Sequence, residues 1–342
     1  MTSFLTRSSG TRRVAGALLA LAVAAGASPA AADNATPAKA LFGAAAVPSA
    51  GSPVPYGSYA KGCIEGAQAL PVDGPNWQVM RLSRNRNWGH PELLSVIQRL
   101  SRDGVREGWP GLLVGDISQP RGGPMTSGHA SHQIGLDTDI WLTPMPNRRL
   151  SASERDQMPF TSMLAPNKFL TIDDSKWTPA HARLIMKAAS YPEVARIFVN
   201  PAIKKRLCET WTGNRNLLGK VRPIYGHDAH FHIRISCPAG ASGCQEQAAP
   251  PSGDDCGKNL AWWFTKEPWA APKKDPNAPP PKPPRAVTLA DLPRACSAVL
   301  AAAPSGAVAA SAYAPSPAAP AAAGALLPGQ TIPVPRARPA GR

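Results

Sequence analysis

Two stretches, "SGHASHQIGLDTDIWL" (Ser127–Leu142) and "GHDAHFHIRIS" (Gly226–Ser236), hold five of the chain's seven histidines. Imidazole nitrogen together with carboxylate oxygen is ligand chemistry for a divalent transition metal, zinc above all. Three protein ligands leave a fourth position open for water, whereas four mark a structural site. His132, Asp139 and His232 make a three-ligand set for Zn2+. A metal so held lowers the pKa of its water to about 7 and polarises a carbonyl, and an unligated base must then take the proton. His230 suits that base, because it shares a strand face with His232 about 6.5 to 7 Å away. His227, on the turn before the strand, suits hydrogen bonding or the stabilisation of a developing oxyanion. His129 and Asp137 are then left to orient the ligands. Spacing alone keeps alternatives open, since HxH can supply two ligands and either aspartate can bind. Taken singly, Asp137 and Asp139 read as solvated strand residues, and the isolated His90 and His181 as surface or hydrogen-bonded histidines. Five histidines and two aspartates converging in two blocks favour a metal.

Two strands must position these groups. In "GLDTDIWL" the alternation sends Asp137, Asp139 and Trp141 to one side and Leu136, Thr138, Ile140 and Leu142 to the other. In "HFHIRIS" it sends His230, His232 and Arg234 to one face and Phe231, Ile233 and Ile235 to the core. Paired, the strands set imidazoles against carboxylates, and Gly128 and Gly135 let the loop fold His129 and His132 over that surface. Elsewhere "HPELLSVIQRLSRDG" predicts a helix with Pro91 in its first turn and Gly104 near its stop. "TPAHARLIMKAAS" predicts another, with Thr178 as N-cap and Pro179 at its first position. "GLLVGDIS" and "ARIFVN" are short β-rich runs. The expected fold is α+β: a single domain over 61–296, whose central, mainly antiparallel sheet carries the metal site among flanking helices and loops.

The 342-residue chain is 43% hydrophobic, enough for a real core, and its formal charge is +15. Arg7, Arg12 and Arg13 precede the apolar run "VAGALLALAVAAGA" and the small residues Ala30, Ala31 and Ala32. Residues 1–32 therefore read as a cleaved secretory signal, and no later run is long enough to span a bilayer. Residues 33–60, rich in Ala, Pro, Gly and Ser, read as a linker, and 297–342 as an Ala/Pro-rich disordered tail. Six cysteines in an exported chain predict disulfides, because no CxxC pair offers zinc thiolates. Spacing alone suggests only Cys237 with Cys244. The dispersed Lys and Arg residues argue for an anionic wall polymer as partner, not nucleic acid. Oligomeric state is not legible.

No HExxH occurs. "SYAK" (Ser58–Lys61) matches SxxK, but without KTG and in linker-like sequence it reads as chance. "GHASHQIGLDTDIWL" with "GHDAHFHIRISCP" resembles the penicillin-insensitive murein endopeptidases, within the wider group of zinc peptidases that share HxxxxxxD and HxH. The longer patterns HxxHxxGxDxD and HxxHxH, the Cys237–Cys244 loop and "PPSGDDCG" extend the likeness over most of 61–296. The resemblance implies His132, Asp139 and His232 as ligands, with His129, His227 and His230 as further active-site histidines and His230 the base. It implies the disulfides Cys63–Cys296, Cys208–Cys256 and Cys237–Cys244. It further implies periplasmic cleavage of the D-alanyl-meso-diaminopimelyl cross-link of peptidoglycan, untouched by β-lactams for want of a serine to acylate. A carboxypeptidase trimming terminal D-Ala and a non-catalytic, metal-stabilised wall-binding protein are the alternatives.

Overall fold

A computed structural model describes residues 36–271 and 285–305. The leader, residues 272–284 of the proline-rich strip, and the tail beyond 305 lie outside the described residues. In chain order come α1 (Ala38–Gly43), β1 (Val54–Ser58), β2 (Lys61–Glu65), β3 (Gln68–Ala69), β4 (Asp73–Gly74), β5 (Trp77–Val79) and β6 (Trp88–Gly89). Then follow α2 (Pro91–Arg106), β7 (Leu112–Val114), β8 (Asp137–Trp141), α3 (Ala152–Gln157), α4 (Pro179–Ala189) and β9 (Val194–Val199). The last are α5 (Pro201–Thr210), β10 (Val221–Pro223), β11 (His230–Ile235), α6 (Lys258–Trp262) and α7 (Ala295–Ala301).

Seven strands form one sheet in the order β10-β9-β11-β8-β7-β5-β4. Its pairings are antiparallel at β9/β11, β11/β8, β8/β7 and β5/β4, and parallel at β10/β9 and β7/β5. The α+β reading with a mainly antiparallel sheet therefore stands. Phe231, Ile233 and Ile235 are fully buried in the core with Leu93, Ile97 and Leu100 of α2 and Leu184 and Ile185 of α4. Burying that face turns the alternate residues of β11, the histidines and Arg234, to the other side. Among the described residues no helix is long and apolar enough to cross a membrane.

Gly104 lies near the end of α2, which runs two residues further to Arg106. A Cβ on Gly104 would lie 3.0 Å from Leu184 Cδ1, so the missing side chain is what lets α4 approach. Gly104→Val is expected to destabilise the fold by about 1–3 kcal/mol through overpacking, read as a lower urea midpoint.

The linker and tail readings need correction at their inner ends. Ala38 and Phe42 of α1 are fully buried with Cys63, Leu292, Cys296 and Val299. The Phe42 ring rests on Gly123, where a Cβ would come within 2.1 Å of it. One aromatic anchor in an Ala/Pro-rich stretch is enough to bind it to the body, and average composition hides such a residue. The tail likewise begins inside α7. Arg121 Nη1 donates to the carbonyls of Val299, Leu300 and Ala302 at 2.7, 2.7 and 2.9 Å, closing the end of that helix. Arg121→Met, which strands these acceptors, should cost about 1.5–3 kcal/mol in chemical denaturation. All three disulfides implied by the resemblance are present: Cys63–Cys296, Cys208–Cys256 and Cys237–Cys244. Ser58 and Lys61 of "SYAK" face one another across the β1–β2 turn and open no helix.

Candidate metal centre

Strands β8 and β11 pair in the register His230↔Trp141, His232↔Asp139 and Arg234↔Asp137. The two carboxylates thus meet the HxH strand directly, as alternation predicts. The loop before β8 returns through Gly128 (φ 88°) and Gly135 (φ 70°), with His132 itself left-handed at φ 66°. Such a conformation is uncommon for a residue with a side chain and marks a place where position outweighs comfort. A Cβ at Gly135 would sit 2.6 Å from Ile64 Cδ1, so the turn needs glycine on both counts.

Asp139 is the hub. Its Oδ1 lies 3.4 Å from His132 Nε2, 3.5 Å from His232 Nδ1 and 3.6 Å from His230 Nε2. Its Oδ2 lies 3.3 Å from His129 Nε2. His132 Nδ1 stands 2.7 Å from the Ile117 carbonyl, which can only accept, so Nδ1 carries the proton. In the neutral ring Nε2 then presents a lone pair to the carboxylate of Asp139. Both atoms are buried and lack a hydrogen-bond partner among the described residues. Two acceptors in contact without a donor need a cation between them. Ligand atoms at 2.0–2.1 Å around a tetrahedral ion lie about 3.3 Å apart, close to the spacings seen here. The donor set fits a divalent metal of the zinc type, and the carbonyl-bound second nitrogen is the usual support of a metal-binding imidazole.

Electrostatics point the same way. Burial works against charge on Asp137, but Arg234 and His232 hold its carboxyl well below the usual range. Burial likewise opposes charge on Asp139, and His230, His129 and His132 overcome it. Burial disfavours a charged His132, yet Asp139, then Asp137 and Asp116, raise its pKa, so the pocket attracts positive charge. Burial pushes His232 down to about 3 and leaves its nitrogens free of a second proton. His227 is pushed down to about 4 by burial and then by the charge of His230. Its Nδ1 donates to the Tyr225 carbonyl at 2.9 Å, so its Nε2 is an acceptor at neutral pH.

The structure brings all seven residues singled out from the sequence into one cluster. Nitrogens of His132, His232 and His230 lie around Asp139 Oδ1. Asp137 sits behind them: its Oδ1 is 2.9 Å from His232 Nε2, its Oδ2 accepts from the His132 backbone N–H at 3.1 Å, and Arg234 Nε donates to it at 2.8 Å. His129 stands closer to the centre than a supporting role requires. Its Nε2, with ligand atoms of His132 and Asp139, forms a group whose members all lie within 4.8 Å of one another. His90 and His181 stay outside the cluster: His90 caps α2, and His181 packs between Trp109 and Trp177 with Nε2 on the Leu142 carbonyl.

Asp116 was not legible as a site residue. Its buried carboxylate lies 3.2 Å from His129 Nε2, 3.0 Å from Arg84 and 2.8 Å from Arg86. The available signal was an acid directly after the apolar run of "GLLVGD"; what it faces depends on how β7 lies beside β8. Arg81, Arg84, Asp116, His129, Trp141, Phe160 and His230 line a small cleft of about 40 Å³ over the cluster. The Arg81 guanidinium lies over the paired Trp141 and Phe160 rings, 5.1 and 5.0 Å from their centroids, which fixes one wall.

The model of the penicillin-insensitive murein endopeptidase family matches residues 55–301. A protein of that name from Haemophilus influenzae is 45% identical over 233 residues, covering 68% of this chain and 81% of the relative. A second, from Pectobacterium atrosepticum, is 45% identical over 244 residues, covering 71% and 86%. A third, from Klebsiella pneumoniae, is 43% identical over 245 residues, covering 71% and 88%. The match takes in both histidine blocks and all six cysteines. On the extent of that match, the chain belongs to the penicillin-insensitive murein endopeptidase family.

Proposed function

We propose that the protein is a zinc-dependent murein endopeptidase of the periplasm, hydrolysing D-alanyl-meso-diaminopimelyl cross-links in peptidoglycan. The observation that carries this reading is the pair of buried acceptors, His132 Nε2 and Asp139 Oδ1, facing one another at 3.4 Å without a donor. His132, Asp139 and His232 hold the metal, and His129, at similar range, is the alternative fourth contact. When bound, zinc supplies the Lewis acidity that activates water and polarises the scissile carbonyl.

The chain's own groups handle the proton. His230, which lines the cleft, takes a proton from the attacking water, then delivers it to the departing diaminopimelyl amine. His227, neutral and with its Nδ1–H committed to the Tyr225 carbonyl, keeps Nε2 as an acceptor and packs its ring against His230. Donation to an oxyanion would need a second proton on that ring, which burial opposes. Asp137 fixes His232 and the His132 backbone, so that the ligands stay in place through turnover. Arg84, half-exposed at the rim, offers a cation to the carboxylates of the substrate peptide. The secretory leader and the three disulfides suit an oxidising compartment.

Mass analysis of purified cross-linked muropeptides incubated with the protein, with and without a chelator, tests the reading. Conversion of dimers to monomers that stops on chelation and returns with zinc is the expected result. Loss of terminal alanine alone would make it a carboxypeptidase, and unchanged dimers a wall-binding protein.

A further inference from the structure

Five aromatic side chains, Phe169, Tyr225, Trp262, Trp263 and Trp269, form a surface cluster beside the histidines that the proposed chemistry does not use. Phe169 meets Trp269 edge-on at 5.4 Å, Tyr225 meets Trp263 and Trp269 at 4.9 Å each, and Trp262 meets Trp263 at 5.3 Å. Hydrogen bonds lock the group: Trp269 Nε1 donates to the Trp263 carbonyl at 2.8 Å, and the Tyr225 hydroxyl donates to the Pro268 carbonyl. Phe169 is nevertheless 61% exposed, Trp262 38% and Trp269 37%. Of the six large apolar side chains exposed among the described residues, three belong to this cluster. A contiguous exposed patch of this kind marks a binding surface rather than chance exposure.

We infer that this cluster is a subsite for the glycan strand of murein, the chain of N-acetylated amino sugars from which the cross-linked peptides hang. The inference rests on the endopeptidase reading above, which places those peptides in the histidine cleft. Continuity argues for this occupant. Tyr225 belongs to the cluster, and its carbonyl holds His227 Nδ1 at 2.9 Å, so the platform begins where the catalytic histidines end. A peptide seated in the cleft brings its sugar to an adjoining surface. The chemistry of the surface agrees: rings held edge-to-face present fixed π-faces, against which the apolar C–H face of a pyranose stacks at little cost in side-chain entropy.

Two readouts on the zinc-loaded full chain test it. Peptide-free glycan strands, titrated into the protein, should quench its tryptophan fluorescence saturably, and Phe169→Ala and Trp262→Ala should weaken that binding about tenfold each. The ratio of kcat/KM for glycan-bearing cross-linked dimers to that for the sugar-free dimers should fall about tenfold in the same variants, through KM rather than kcat. Both side chains are exposed enough to be removed without unfolding the protein, and circular dichroism checks this. Unchanged binding and an unchanged ratio in both variants would overturn the inference. So would fluorescence that responds to dilution of the protein and not to glycan, which would assign the platform to a second copy of this chain. Saturable quenching lost in the variants, with neither dimer cleaved by the wild type, would uphold the subsite and sink the endopeptidase reading instead.

Discussion

His132→Ala is expected to yield a folded protein that retains no zinc and leaves cross-linked muropeptides uncut. The side chain is completely buried, and its Nε2 is one of the two acceptors that only a cation reconciles. Removing it takes away a ligand and leaves Asp139 Oδ1 facing His232 and His230 alone. Loss of a supporting partner typically costs 10–100-fold in metal affinity, so loss of a ligand should cost about 100-fold or more. His132→Asn is the companion variant, because asparagine tolerates the left-handed backbone at this position and separates strain from lost ligation. Metal content by atomic emission, circular dichroism and muropeptide chromatography are read on the same samples. Full zinc content in both variants would remove His132 from the ligand set and leave His129, Asp139 and His232 to carry it.

His230→Gln should separate chemistry from metal binding. The variant is expected to keep its zinc and nearly its KM, while kcat falls by about 10²–10⁴-fold, the range for a general base. His230 and His232 share a face of β11, but only His230 lines the cleft, and its Nε2 is 3.6 Å from Asp139 Oδ1. Glutamine preserves size and hydrogen bonding and removes only the basic nitrogen. Steady-state kinetics on a defined dimer, with zinc measured in parallel, decide the matter. Undiminished kcat would remove His230 as the base and turn the search to the other histidines of the cleft, first His227, whose ring centroid lies 4.7 Å away.

The strand period of two was enough to name both faces of β8 and β11, and with them Asp137, Asp139, His230 and His232 as facing groups, while the glycines of the loop before β8 let His129 and His132 fold over the same surface. It works because a side chain's face in a half-buried strand is dictated by local backbone geometry. The helices α2 and α4 were legible for a similar reason, each announced by a proline in its first turn and an apolar stripe. Composition misled where a few anchors outweigh an average: Phe42 and Val299 bury stretches that otherwise read as linker and tail.

The sequence by itself determined which residue types meet and on which side of their strands they lie. Only the tertiary structure decided how near they come. Asp116 reaches His129 because β7 lies beside β8, and Arg84 and Arg86 arrive from a turn far from either in sequence. His129 is as close to Asp139 as His132 is, which no spacing rule states. The tautomers of His132 and His227 follow from the carbonyls of Ile117 and Tyr225, one distant in sequence and one local. Distances between groups on separate elements depend on how the whole sheet and its loops pack, and an imidazole becomes ligand, base or support according to those distances.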